Sequence, residues 1–154
     1  MNSVTADSFT GLVVMALERM AFVITERATD TPSEVLVDCA AHAVIELRGP
    51  QGYAVSVSAT PGMVREVASG MMGMEPDDID VDDHARATVD ELANVLAGEL
   101  VMLLTSGDAE MSLSLPREGL DDEVGRMLDK AAVAGFCVVV GSDTGRLMVA
   151  VHSV

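Results

Sequence analysis

Ala43-Val44-Ile45-Glu46-Leu47-Arg48 and Tyr53-Ala54-Val55-Ser56-Val57-Ser58, joined by Gly49-Pro50-Gln51-Gly52, decide the fold class. Ala43, Ile45 and Leu47 alternate with Val44, Glu46 and Arg48, and Tyr53, Val55 and Val57 alternate with Ala54, Ser56 and Ser58. Successive side chains of a strand point to opposite faces, so runs of period two read as strands. The change to this period is placed from Val35 to Ala59. Pro50 stands where a type I turn accepts proline, which makes the pair a β-hairpin.

On either side the period becomes that of helices. A first helix is expected from a cap at Asp7 or Ser8 to about Thr25, with Leu12, Ala16, Met20 and Val23 on its apolar stripe and Val13, Leu17 and Ile24 widening it. Thr60-Pro61 opens a second, with Val64, Val67, Ala68 and Met71 inward and Gly70 and Gly73 ending it. A loop from Glu75 to Asp83 holds six acids in nine residues, and its last aspartates favour the start of a long helix from about His84 to Leu104. Met111, Leu113 and Leu115 then alternate with Ser112 and Ser114 as a strand closed by Pro116. A short helix follows from Asp121 to Ala134, with Val124, Leu128 and Ala131 inward and Gly135 as its stop. Phe136 to Val140 and Leu147 to Val151 form strands around Gly141 to Gly145. This order predicts an α+β fold: residues 1–154 as a single domain, a mainly antiparallel sheet of about five to six strands, and helices packed on it. No strong internal repeat and no linker divide the chain.

Composition narrows the function classes. Of 154 residues 49% are hydrophobic, yet 9 Lys+Arg face 25 Asp+Glu, a formal charge of −16. Phosphate binding needs a basic surface, so nucleic acid is excluded as a partner, as is an anionic membrane. Disorder pairs high charge with low hydrophobicity, and the mean hydropathy here is +0.36. Gly11 to Ile24 is apolar but short and contains Glu18 and Arg19, so neither a membrane anchor nor a secretory signal is expected. Cys39 and Cys137 read as free thiols of a cytoplasmic protein. Cys39 and His42 have ligand-like spacing without a second pair, so no metal or cofactor is expected on the chain.

The long helix carries the functional information. Ala85, Val89, Leu92, Leu96, Leu100 and Leu103 share its core face. Opposite them run Ala87, Glu91, Asn94, Gly98, Val101 and Thr105, a stripe of low relief with one carboxylate and one carboxamide a turn apart. Such a strip admits another protein's backbone closely while two polar groups project into its site.

Glu91-Leu92-Ala93-Asn94-Val95-Leu96-Ala97-Gly98 resembles the motif helix of the CheX/CheC family of chemotaxis phosphatases. Leu17-Glu18-Arg19-Met20-Ala21-Phe22, Gly52-Tyr53-Ala54-Val55-Ser56-Val57 and Val67-Ala68-Ser69-Gly70-Met71-Met72-Gly73 resemble other segments of that family, in order. The resemblance implies a CheC-like fold and removal of phosphate from the phospho-aspartate of a CheY-type response regulator. Asn94 would orient the attacking water, and Glu91 would contact the receiver's active-site lysine. Ala87, Asp90, Gly98 and Val101 would line the docking contact. Phosphoryl transfer asks chiefly for positioning, and the divalent metal, Mg, would belong to the receiver. A single Glu-x-x-Asn fits the CheX branch, and with it a homodimer; a CheD-like protein is a further implied partner. Two positions depart from the family pattern. The glycine is followed by Glu99-Leu100 rather than Asn-Ala, and Ala87 stands where Asp or Ser is usual.

Other readings accompany this one. The same strip would serve a non-catalytic adaptor that docks receivers or other chemotaxis or flagellar proteins. Asp143-Thr144-Gly145 spells the aspartic-protease triplet, but its flanks suit a tight turn. The acidic loop lacks the glycine and spacing of a calcium loop. The 11 methionines read as core filler first and as adaptable interface second.

Overall fold

The computed structural model describes residues 4–105 and 110–154. Helix α1 (Ala6–Ala21) is followed by a two-residue strand β1 (Glu26–Arg27), helix α2 (Pro32–Asp38) and the hairpin β2 (Ala41–Arg48) and β3 (Tyr53–Ala59). Then come α3 (Pro61–Met72), a 3-10 turn (Pro76–Asp78), α4 (Val81–Thr105), the short strands β4 (Ser112–Leu113) and β5 (Arg117–Glu118), α5 (Asp121–Ala134), and the hairpin β6 (Gly135–Gly141) and β7 (Arg146–Ser153). All seven strands join one antiparallel sheet in the order β1-β6-β7-β3-β2-β4, with β5 also on β2. The α+β class and the antiparallel sheet are as expected, and three of the strands are only two residues long.

The strand order reads the same from both ends. Apart from α3 with its 3-10 turn and the extra short strand β5, each half of the chain runs helix, short strand, helix, hairpin. Each short strand leaves its own half to pair with the first hairpin strand of the other: β1 with β6, β4 with β2. The repeat absent from the residues is therefore present in the architecture.

One face of the sheet, through Ile45, Leu47, Val55, Val57, Val149 and Val151, packs on α1, α3 and α4 as the main core. The other face carries a smaller cluster, Val35, Val139 and Met148, with α2 and α5 over it. Helix α1 runs along β6: the Phe9 ring lies 5.7 Å from that of Phe136 at the start of β6, and Glu26 beyond the helix pairs with Gly141 at its end. Helix α4 runs along β2, from Arg86, bonded to Glu118 beside Ala43, to Leu104 and Thr105 beside Pro50 and Gln51. Strands β6 and β2 are separated by two antiparallel neighbours and so run in opposite senses, and α1 and α4 lie on the same face of the sheet.

Several local expectations are corrected. The cap of α1 is Thr5, whose hydroxyl accepts from the N–H of Ser8 at 3.1 Å while the Ser8 Oγ accepts from Thr5 N–H at 3.0 Å. The helix ends at Ala21 instead of Thr25, because Phe22 takes a left-handed conformation, φ 59°. Its core side centres on Phe9, Val13, Ala16 and Leu17, Leu12 and Met20 being half-buried and Ile24 exposed. Val35 to Asp38, read as the start of period two, belong to helix α2, which is capped by Thr31 and Glu34 with Pro32 in the first turn. Gly73, φ 69°, ends α3, whereas Gly70 lies within it: a Cβ there would sit 1.7 Å from the Ala21 carbonyl oxygen, so the glycine serves the α1–α3 crossing. Met71 points to solvent. Thr60 precedes α3 but makes no side-chain cap; its hydroxyl accepts from Arg146 N–H at 2.9 Å. Helix α4 begins at Val81, with the Asp80 carboxylate accepting from Asp82 N–H at 3.0 Å. The strand expected over Met111 to Leu115 shrinks to Ser112–Leu113, and Leu115 is exposed.

Candidate functional site

Helix α4 presents two opposite faces. Ala85, Val89, Leu92, Leu96 and Leu100 are buried, joined by Ala93 and Ala97. Ala87, Glu91 and Asn94 are exposed and Gly98 is half-buried, one above another along the outer side. Among the described residues neither Glu91 nor Asn94 has a side-chain hydrogen-bond partner within the chain. Both keep their polar groups for a visitor. A Cβ built on Gly98 meets nothing within 4 Å, so no neighbour inside the chain requires glycine there. Mid-helix glycine costs about 1 kcal/mol relative to alanine. With no side chain there, another backbone can approach the helix closely.

The strip is convex, and neither Glu91 nor Asn94 lines any cleft described among these residues. A cleft of about 800 Å³ lies elsewhere, at the β1 edge between residues 21–30, Glu66 and Arg146. Glu91 and Asn94 stand on the exposed outer side of the helix. The arrangement suits insertion of these side chains into a cavity that belongs to another protein.

Two of the expected docking residues stand differently. Val101 is only 8% exposed and joins the main core, because the second half of α4 is covered more broadly than its first. It cannot line a docking surface. Asp90 is half-buried and held by Arg86, whose Nε donates to both carboxylate oxygens at 3.2 and 3.0 Å, while Arg86 Nη1 reaches Glu118 at 3.4 Å. These ion pairs fix β5 against the base of the strip. Glu99, one of the positions that departs from the family pattern, accepts from Arg19 Nη2 of α1 at 2.7 Å.

Other chemistry-bearing groups have structural roles. His42 Nδ1 lies 2.7 Å from Ser58 Oγ and its Nε2 2.7 Å from Asp121 Oδ1, a serine–histidine–aspartate chain. Ser58 is fully buried, so no substrate reaches it, and the chain ties the first turn of α5 to the central hairpin. Sequence pattern gave no sign of this contact, whose members are 16 and 79 residues apart. Asp143 is exposed in the β6–β7 turn, where Ser142 Oγ accepts from the N–H groups of Thr144 and Gly145 at 3.3 and 3.1 Å. Burial pushes the thiols of Cys39 and Cys137 up to about 12, which keeps them protonated and unreactive. No group of three His, Cys, Asp or Glu among the described residues is placed to hold a metal ion. No described helix is long and apolar enough to cross a membrane.

An antiparallel sheet in this strand order, with helices on both faces, is the fold class of CheC-like chemotaxis proteins. Solved structures of that class share the fold. A CheC-like superfamily protein from Shewanella sp. PV-4 aligns over 100% of this chain and 99% of its own, with a TM-score of 0.68 and 17% identity. Chemotaxis protein CheX from Vibrio vulnificus aligns over 95% and 96%, with a TM-score of 0.65 and 13% identity. CheX from Borrelia burgdorferi, in a complex with CheY, BeF3 and Mg, aligns over 97% and 98%, with a TM-score of 0.61 and 14% identity. No curated protein matches. The family model described as chemotaxis phosphatase CheX matches residues 41–138, well over half of the chain and all of α4, and the chain belongs to that family.

Proposed function

We propose that this protein binds the phosphorylated receiver domain of a CheY-type response regulator and hastens loss of its phosphate, in chemotaxis or a related two-component pathway. The observation that carries the reading is the convex strip of α4, where Glu91 and Asn94 are exposed and unpartnered beside a glycine that nothing inside the chain requires. It is supported by membership of a family described as chemotaxis phosphatases and by a fold relative crystallised with CheY.

The chemistry follows from the residue types. Hydrolysis of an acyl phosphate needs water held in line with phosphorus, and a carboxamide can accept from that water while donating to a neighbouring oxygen. Asn94 is assigned this work. Glu91, one turn earlier, forms a charge-assisted contact with a lysine of the receiver and sets the register of the complex. The divalent ion that stabilises phosphoryl charge is the receiver's own, held apart from this chain. Neither residue acts as a general base. The protein works in the cytoplasm, where receivers are found.

The test is phosphate loss from candidate phosphorylated receivers with the wild-type chain and with Asn94→Ala. Accelerated loss with wild type and none with Asn94→Ala is expected. Binding without acceleration by wild type overturns the catalytic assignment and leaves an adaptor on the same strip. The departures at Ala87 and Glu99 give that outcome its interest, since Glu99 is engaged by Arg19 of another helix.

A further inference from the structure

The strip from Ala87 to Gly98 is too small to hold a folded partner. It is about 16 Å long and ~10 Å wide, on the order of 160 Å², whereas a specific interface buries roughly 800 Å² on each partner. The rest of the footprint must lie on neighbouring elements. Interface centres are rich in methionine, arginine and aromatic groups and poor in other charges.

The structure points to one direction of growth. The Arg19–Glu99 ion pair bridges the outer shoulders of α1 and α4, with Arg19 62% exposed. The turn before Arg19 on α1 and the turn after Glu99 on α4 each adjoin that bridge. Those turns hold Met15 and Met102, each 58% exposed. By helical spacing Met15 shares a shoulder with Arg19, and Met102 shares one with Glu99. On the opposite flank of α4 the strip is bordered by Arg86, Asp90 and Glu118, already joined in ion pairs and suited to a polar rim.

We infer, resting on the reading above, that the receiver domain docks across both helices, with Met15 of α1 and Met102 of α4 as its apolar anchors and Arg19 beside them. The complementary surface on the receiver is then an apolar patch next to its phosphorylation pocket. Unbranched, polarisable methionine adapts to such a patch without a fixed shape. The two methionines select and hold the partner, and the chemistry stays with Glu91 and Asn94.

Steady-state phosphate release from a phosphorylated receiver separates these roles. Met15→Asp combined with Met102→Asp is expected to raise KM roughly tenfold or more with kcat within about twofold. Asn94→Ala is expected to lower kcat. Met72→Asp, at an exposed methionine on the C-terminal turn of α3, serves as the surface control and leaves KM unchanged. The inference is overturned if the double variant keeps the wild-type KM, if only its kcat falls, or if Met72→Asp raises KM equally. Thermal melts of each variant exclude loss of folding as the cause, and Met15→Leu with Met102→Leu retains the wild-type KM. If wild type does not hasten phosphate loss, titration of a receiver carrying BeF3 decides: weaker binding by the double variant alone upholds the footprint without catalysis, and binding unchanged or absent removes it.

Discussion

Helices α1 and α4 hold equivalent places in the two halves of the chain, yet they differ in almost everything that faces solvent. Both bury one side against the same sheet, α1 through Phe9, Val13 and Leu17, α4 through Val89, Leu92 and Leu96. Both carry an outward glycine, Gly11 and Gly98, around which an added Cβ meets nothing within 4 Å. Only α4 adds the unpartnered carboxylate and carboxamide of Glu91 and Asn94. α1 ends after 16 residues in a left-handed Phe22, whereas α4 runs on for 25. Shared inner faces are set by the sheet, which treats the halves alike. The outer faces are free of that constraint, and there one half has been given the polar pair.

The comparison breaks first at Asn94. Asn94→Ala leaves the fold intact, because among the described residues the side chain has no hydrogen-bond partner, and is expected to cut receiver dephosphorylation about 100-fold, the scale of a lost positioning group. A rate within twofold of wild type would show that the outer faces do not differ in chemistry after all. The second break is at Gly70, which lets α3 cross the end of α1. Gly70→Ala places a methyl against the Ala21 carbonyl and is expected to destabilise by about 3 kcal/mol, lowering the thermal midpoint by roughly 10 °C. An unchanged melt would mean that the crossing relaxes freely.

A gentler pair sharpens the contrast. Gly11→Ala and Gly98→Ala should each stabilise by up to about 1 kcal/mol, since alanine fits both helices without a clash. Receiver affinity should fall for Gly98→Ala alone, and equal effects on binding would merge the two helices into one surface. An effect confined to alkaline pH concerns the other face of the sheet. Cys39 and Cys137 have thiol pKa values of about 12 against an ordinary 9.0. Their stabilising contribution is complete below pH 9 and is lost as pH rises from 9 toward 12, where the unfolded chain ionises first. Melts of wild type and Cys137→Ala across that window should show the wild type losing more stability.

Where local pattern coincides with tertiary environment, the sequence reads directly. The hairpin β2–β3 lies between two packed layers, and its alternation and its turn at Pro50 are visible in the residues. The bounds of α5, Asp121–Ala134, are also those the pattern indicates. Helix α2 was hidden because only Val35 of its seven residues is buried, leaving Thr31-Pro32-Ser33-Glu34 as its single sign. The end of α1 was hidden because Phe22 adopts a conformation ordinarily marked by glycine. β1, β4 and β5 are two-residue pairings whose partners lie far along the chain, beyond any local window. In the candidate site, the placing of Glu91, Asn94 and Gly98 on one outer face was legible from helical period. Val101 was misassigned because periodicity does not say how far a neighbouring layer wraps around a helix. The Arg19–Glu99 bridge, and with it the relation of Met15 to Met102, exists only once α1 and α4 are packed on the same face of the sheet.

The reciprocal short strands have a consequence for how this chain acquires its structure. Since β1 clasps β6 and β4 clasps β2, neither half completes its own sheet, and each lends an edge to the other. An N-terminal piece ending before α4 would expose the outer edge of β2 and lose every partner of β3 except β2. Folding must therefore wait for contacts spanning most of the sequence, which slows it and binds both halves into one cooperative transition. The helix that carries the polar pair is raised into place only when the half without it is already present.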